Sequence, residues 1–79
     1  RLVRLRVLLP DRPGTLAELS KALDEVRANV LEITHHRTFT NAALGEAEVD
    51  LDLETEGAEH VGRIIERLDQ AGFKPQRSE

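Results

Sequence analysis

The sequence contains no cysteine, methionine, tryptophan or tyrosine, and two phenylalanines are its only aromatic residues. Without cysteine the chain cannot form disulfides or a thiolate-ligated zinc or iron–sulfur site. Its apolar runs are far shorter than the about 20 residues of a membrane-spanning helix, and no signal-peptide pattern opens the chain. An excess of 15 acidic over 11 basic side chains argues against binding to nucleic acid or anionic membranes. We therefore expect a soluble, cytoplasmic protein.

The length of 79 residues allows one small domain with a thin core. No internal repeat, low-complexity tract or linker interrupts the chain before its last few residues. The sequence therefore predicts a single domain over residues 1–79, with an ordered core at about residues 2–75 and a short C-terminal tail.

Alternating and helical hydrophobic periodicities predict six elements. Strand periodicity covers 2–9, 29–39, 46–54 and about 73–77, and helical periodicity covers 15–26 and a segment after 55–57. The order β-α-β-β-α-β with right-handed crossovers predicts an α+β, ferredoxin-like sandwich: a four-stranded antiparallel sheet with two helices on one face. The first and third strands then lie side by side, which places Arg4 and Arg6 opposite Asp50 and Asp52 on the open face.

Local signals predict how three of these elements are built. Thr15 and Glu18 have the spacing of a capping box at the start of the first helix, with Asp11 as an alternative cap. Gly72 stands where a left-handed residue ends the second helix. The apolar stripe of the first helix is expected at Leu16, Leu19, Leu23 and Val26. The second strand is expected to place Leu31, Ile33, His35, Arg37 and Phe39 on one face.

Several functions that this fold supports are disfavoured by the residues present. The open face offers no aromatic side chain on which RNA bases could stack. A phosphate cradle of the acylphosphatase kind is a weak alternative, because Arg12 is available but its loop has a single glycine. His35 and His36 are neighbours on a strand and point to opposite faces, so they cannot chelate one metal ion. We therefore expect no catalytic or metal site in this chain.

The loop around Gly14 and the start of the second strand could form a ligand site. Free backbone N–H groups and the positive end of a helix dipole at Gly14 favour a carboxylate. The amide of Asn29 can both donate and accept, which suits the paired charges of an amino acid. These residues alone favour an ordinary strand-to-helix turn, with Asn29 as a turn residue, over a ligand site, which stays open as the alternative.

These same residues resemble the signature of the ACT domain, a small regulatory module that binds amino acids. The resemblance covers the whole chain and is carried by 11–16, the helix that follows and Ala28-Asn29-Val30. Segments similar to the C-terminal ACT domain of threonine dehydratases (threonine ammonia-lyases) are 29–33, His35 with 37–38, 44–46, and 51–55 with Gly57 and His60. Arg27 stands where the family usually has a glycine, which favours a different ending for the first helix.

The resemblance implies binding rather than catalysis by this chain. It implies ligand-binding positions in the loop and helix start, and others across an interface between two copies: Asp11, Arg12, Gly14, Thr15 and Leu16, with Asn29 and Val30. The implied partners are a second copy, joined through the second strand and first helix in a homodimer or higher even oligomer, and a small amino acid such as isoleucine, valine, threonine or serine. A pyridoxal-phosphate-dependent catalytic domain is a further implied partner, and the cofactor would belong to that domain. The alternatives are a module that only dimerises and a small acylphosphatase-like enzyme.

Overall fold

The elements of a computed structural model, which describes residues 1–36 and 45–78, follow the predicted order. They are β1 Leu2–Pro10, α1 Thr15–Glu25, β2 Asn29–His36, β3 Glu46–Glu54, α2 Ala58–Gln70 and β4 Lys74–Arg77. The strands form one antiparallel sheet in the order β2-β3-β1-β4. The predicted ferredoxin-like sandwich is confirmed. The predictions for Arg37 and Phe39 lie outside the described residues.

The core lies between the helices and the apolar face of β1 and β3. Period-two alternation buries one side of each strand, and the register places Leu5 opposite Leu51 and Val7 opposite Val49. Burial of each such side chain contributes about 1.5–3 kcal/mol. The predicted stripe of α1 needs one correction: its buried residues are Thr15, Leu19, Ala22 and Leu23. Leu16 is 45% exposed and faces outward at the start of the helix.

The edge strand β2 contains a bulge that the sequence did not reveal. The register to β3 shifts between Val30 and Glu32, which leaves Leu31 as the extra residue. Val30 and Ile33 therefore oppose buried leucines of β3, whereas Leu31 lines a groove on the open face beside Glu32. The prediction that Leu31 and Ile33 share a face is wrong, because one inserted residue reverses the alternation.

Both helices end in the same hydrogen-bonded turn, the Schellman motif. In α2 the N–H of Gly72, at φ +93°, donates to the Asp69 carbonyl at 3.1 Å, as predicted for a left-handed residue. In α1 the N–H of Arg27 donates to the Asp24 carbonyl at 3.0 Å, and Arg27 has φ +58°. The expectation that α1 ends differently is therefore wrong: Arg27 adopts the conformation that a glycine would have.

Arginine–aspartate pairs cross the open face between β1 and β3, as predicted. Arg4 Nε donates to Asp52 at 2.6 Å, and Arg6 Nε donates to Asp50 at 2.9 Å. Hydrogen bonds from Arg6, with a further one from His36, hold the pKa of Asp50 at about 2, below its ordinary 3.8. The bonds from Arg4 likewise lower the pKa of Asp52. The side chains of Arg4 and Arg6 are therefore hydrogen-bonded to those of Asp52 and Asp50 across this face.

Candidate functional site

The loop between β1 and α1 is held by hydrogen bonds to two backbone carbonyls. The N–H of Asp11 donates to the Gly45 carbonyl at 2.9 Å, which ties the end of β1 to the start of β3. The carbonyl of Arg12 accepts both the backbone N–H of Thr15, at 3.3 Å, and its hydroxyl, at 2.9 Å. Thr15 is only 2% exposed, so its side chain shapes the loop from beneath.

Helix α1 begins at Gly14 without a side-chain cap. Gly14 is the N-cap at φ +90°, and no side chain bonds to the free N–H groups of the first turn. The predicted capping box of Thr15 and Glu18 is wrong, because the helix begins one residue earlier and the Thr15 hydroxyl bonds to Arg12. The N–H groups of Leu16 and Ala17 therefore point out of the helix start, where the dipole favours an anion. A Cβ built on Gly14 meets nothing within 4 Å, so the space beside this turn is open.

The side chain of Glu18 lies in the first turn of α1 but reaches the loop instead of the backbone. Its carboxylate accepts two hydrogen bonds from the Arg12 guanidinium, at 3.2 and 3.3 Å. About half of each side chain is exposed. The sequence predicts Glu18 only as part of a helix cap. Its separation of six residues from Arg12, across a loop and a helix start, matches no helical spacing that would have predicted this pair.

Asn29 and Val30 lie at the other end of the sheet. The Asn29 side-chain amide donates to the Glu54 carboxylate at 3.2 Å, and Glu54 pairs with Leu2 at the beginning of β1. The loop at Gly14 follows Pro10, at the other end of β1. Pro10 lies eight residues from Leu2, which corresponds to about 26 Å of extended strand. One copy of the chain therefore does not bring the two groups of candidate residues together.

Strand β2 forms an apolar, unpaired edge of the described sheet. Leu31 is 53% exposed, Ile33 is 41% exposed and Val30 is 36% exposed. Exposed edges with apolar side chains are usually covered by another strand, helix or chain. Because β2 runs parallel to β1, a second copy whose β2 pairs antiparallel to this edge carries its Asn29 toward the end where Gly14 lies.

His60 is a buried polar residue that joins the two helices. Its Nδ1 accepts the backbone N–H of Glu56 at 3.0 Å, and its Nε2 donates to the carbonyl of Val26 at 2.6 Å. Both ring nitrogens are thus used within the fold, and the sequence had marked His60 only through the resemblance. Within residues 1–36 and 45–78 no cluster of three metal-ligating side chains is present. In the same residues no helix is long and apolar enough to cross a bilayer.

Comparison with known proteins identifies the family. The family model for the ACT domain matches residues 3–73. This chain belongs to the ACT domain family. As an ACT domain, it is 40% identical over 73 residues to the L-threonine ammonia-lyase of Geobacter sulfurreducens and 36% identical over 74 residues to that of Thermotoga maritima. The matches cover 92% and 94% of this chain but 18% of each relative. The relatives are therefore much longer proteins.

Solved structures show the same fold at lower identity. The prephenate dehydratase of Streptococcus mutans superposes with a TM-score of 0.76 at 23% identity, over 96% of this ACT domain and 40% of that chain. At this identity the likeness concerns the fold alone. The family match makes this ACT domain a module of the regulatory rather than the catalytic kind.

Proposed function

We propose that this ACT domain binds a small amino acid between two copies of the chain and thereby regulates an attached catalytic domain. The observation that carries the proposal is the uncapped start of α1, where no side chain caps the N–H groups of Leu16 and Ala17 and Arg12 lies in the preceding loop. These donors, the helix dipole and a guanidinium together suit a carboxylate.

The partner copy supplies the remaining contacts in this proposal. The ligand ammonium bonds to Asp11 or to the side-chain oxygen of the opposing Asn29, since each can accept a charge-assisted hydrogen bond. The exposed Leu16 and the opposing Val30 offer apolar surface to an aliphatic side chain. Isoleucine, valine, threonine and serine fit this combination of charges and size. We expect affinities on the order of micromolar to millimolar, because such ligands have few atoms.

The parent enzyme that we propose is a threonine ammonia-lyase. The support is the identity of 40% and 36% to the matching regions of two such enzymes. Catalysis, and the pyridoxal phosphate that we assign to it, would belong to the separate catalytic domain. This chain would report the concentration of an amino acid to that domain.

Calorimetric titration of the chain with each common amino acid tests the ligand. We expect heat with one or two aliphatic or hydroxyl amino acids, and loss of that heat in Asn29→Ala while the dimer persists. Gln76→Ala is the matched control, because it removes an exposed amide from β4 at the far edge of the sheet. The absence of binding heat with every amino acid at millimolar concentration would contradict ligand binding.

A module that only dimerises is the second candidate, favoured by the apolar edge of β2. Sedimentation at micromolar concentration should show twice the 8.9 kDa mass of one chain or a higher even multiple. Ile33→Lys should shift this species toward the monomer, since a lysine on an edge strand opposes pairing. Leu2→Lys is the control: it changes an exposed leucine at the beginning of β1, an interior strand of the sheet. A monomer in the unmodified chain would contradict both candidate functions.

A further inference from the structure

The Arg12–Glu18 pair lies beside the start of α1, the proposed site of the ligand carboxylate. Glu18 places a carboxylate within the first turn of α1, 3.2 Å from the guanidinium of Arg12. A ligand carboxylate at the N–H groups of Leu16 and Ala17 would be drawn by the same guanidinium and the same helix dipole. The Glu18 carboxylate and a ligand carboxylate are therefore alternative partners for the Arg12 guanidinium.

Both groups can exchange partners. The two side chains are 53% and 54% exposed, so water can replace either partner at little cost. Among residues 1–36 and 45–78 the Arg12 guanidinium bonds to no side chain other than Glu18, and the loop backbone is fixed separately through the Arg12 carbonyl. The guanidinium can thus move while the loop keeps its shape.

We propose that Glu18 is an internal competitor for Arg12, and that a ligand carboxylate binds by displacing it. The inference rests on the proposed function and adds to it a means by which the chain sets its own ligand affinity. Glu18 holds Arg12 when the site is empty, and Arg12 turns to the ligand carboxylate when the amino acid arrives. Arg12 is then a ligand-binding residue, and Glu18 is a positioning residue that weakens binding.

A double-mutant cycle measured by calorimetry separates this competition from a structural role. Glu18→Gln should lower the Kd for the amino acid about two- to fivefold, the range that a surface ion pair can supply. Arg12→Gln should raise the Kd, and Glu18→Gln should have no further effect in the Arg12→Gln background. Glu25→Gln is the matched control, since Glu25 pairs with Arg67 at the other end of α1. We expect it to leave the Kd unchanged.

The outcomes distinguish this inference from the proposed function. If the unmodified chain binds the amino acid and Glu18→Gln leaves the Kd unchanged or raises it, the competition is overturned. The proposed amino-acid site is retained in that case. An equal gain from Glu18→Gln with and without Arg12 would also overturn it, because the effect would then be general charge repulsion. If calorimetry detects no binding heat with either the unmodified chain or Glu18→Gln, both the site and the competition are refuted.

Discussion

Replacing Arg27 with glycine should stabilise this domain, although it removes a large side chain. Arg27 is an exposed residue at φ +58°, held there because its N–H donates to Asp24 and the N–H of Ala28 donates to Leu23, each at 3.0 Å. A non-glycine residue in this conformation costs about 1–2 kcal/mol. Glycine removes that strain. It also gives the unfolded chain more conformational entropy, which lowers the stability by about 0.4–1 kcal/mol. The expected net gain is about 0.5–1 kcal/mol.

The second helix offers a control with the opposite sign. Gly72 ends α2 in the same motif at φ +93°, and a Cβ added there meets no atom within 4 Å. Gly72→Ala therefore introduces backbone strain without a clash and should destabilise by about 1 kcal/mol. Urea unfolding at fixed protein concentration measures both free energies. The Tm should rise by a few degrees in Arg27→Gly and fall in Gly72→Ala, since about 1 kcal/mol moves the Tm of a small domain by about 4–8 °C.

A loss of stability in Arg27→Gly would refute this reasoning. It would mean that the Arg27 side chain contributes more than the strain of its backbone costs. Within residues 1–36 and 45–78 the Arg27 side chain forms no hydrogen bond or ion pair, so the expected sign depends on backbone conformation alone.

Three further perturbations test other parts of the structure. The pKa of Asp50, held at about 2 against 3.8 by Arg6, means that the unfolded chain binds more protons as the pH falls from about 4 to about 2. Stability should therefore fall through this window, by on the order of 1 kcal/mol for this group, and acid titration of Asp50→Asn should lack that part of the loss. His60→Ala should cost about 2–4 kcal/mol in chemical unfolding, because it empties a buried position and leaves two part-buried backbone groups unpaired, whereas His35→Ala on the exposed strand should be near neutral. Gly14→Ala should lower the free energy of unfolding by about 1 kcal/mol, because alanine is strained at the Gly14 φ of +90°. It should also raise the Kd for the amino acid. A Kd equal to that of the unmodified chain would mean that Gly14 is only a turn residue.

The central strands were predictable because burial fixes their register. In β3 every second residue from Ala47 to Leu53 is apolar, and the structure begins and ends this strand at the predicted residues. A shift of one residue would bury its carboxylates, so only one arrangement is stable. The same constraint determines the pairs of Arg4 and Arg6 with the aspartates of β3.

The edge strand and the helix start were not predictable for a related reason. Most of β2 is exposed on both faces, so little burial energy opposes the bulge at Leu31, and no glycine marks it. At the start of α1, Thr15 and Glu18 match a capping box in spacing alone. The left-handed Gly14 moves the helix start, and Arg12 binds Glu18 through a loop contact that has no period to detect.

The arrangement of the candidate site residues was not predictable from the motifs of one chain either. Sequence motifs identified the loop at Gly14 and the residue Asn29 separately, but the sheet places them at opposite ends of one copy. In the proposed dimer, antiparallel pairing of two β2 edges would bring Asn29 of one copy toward the Gly14 loop of the other, because it reverses the direction of the partner strand. A ligand that contacts both copies must then stabilise the pair by mass action. Ligand affinity and self-association are therefore one linked equilibrium in this proposal, and a change at the apolar edge should alter both.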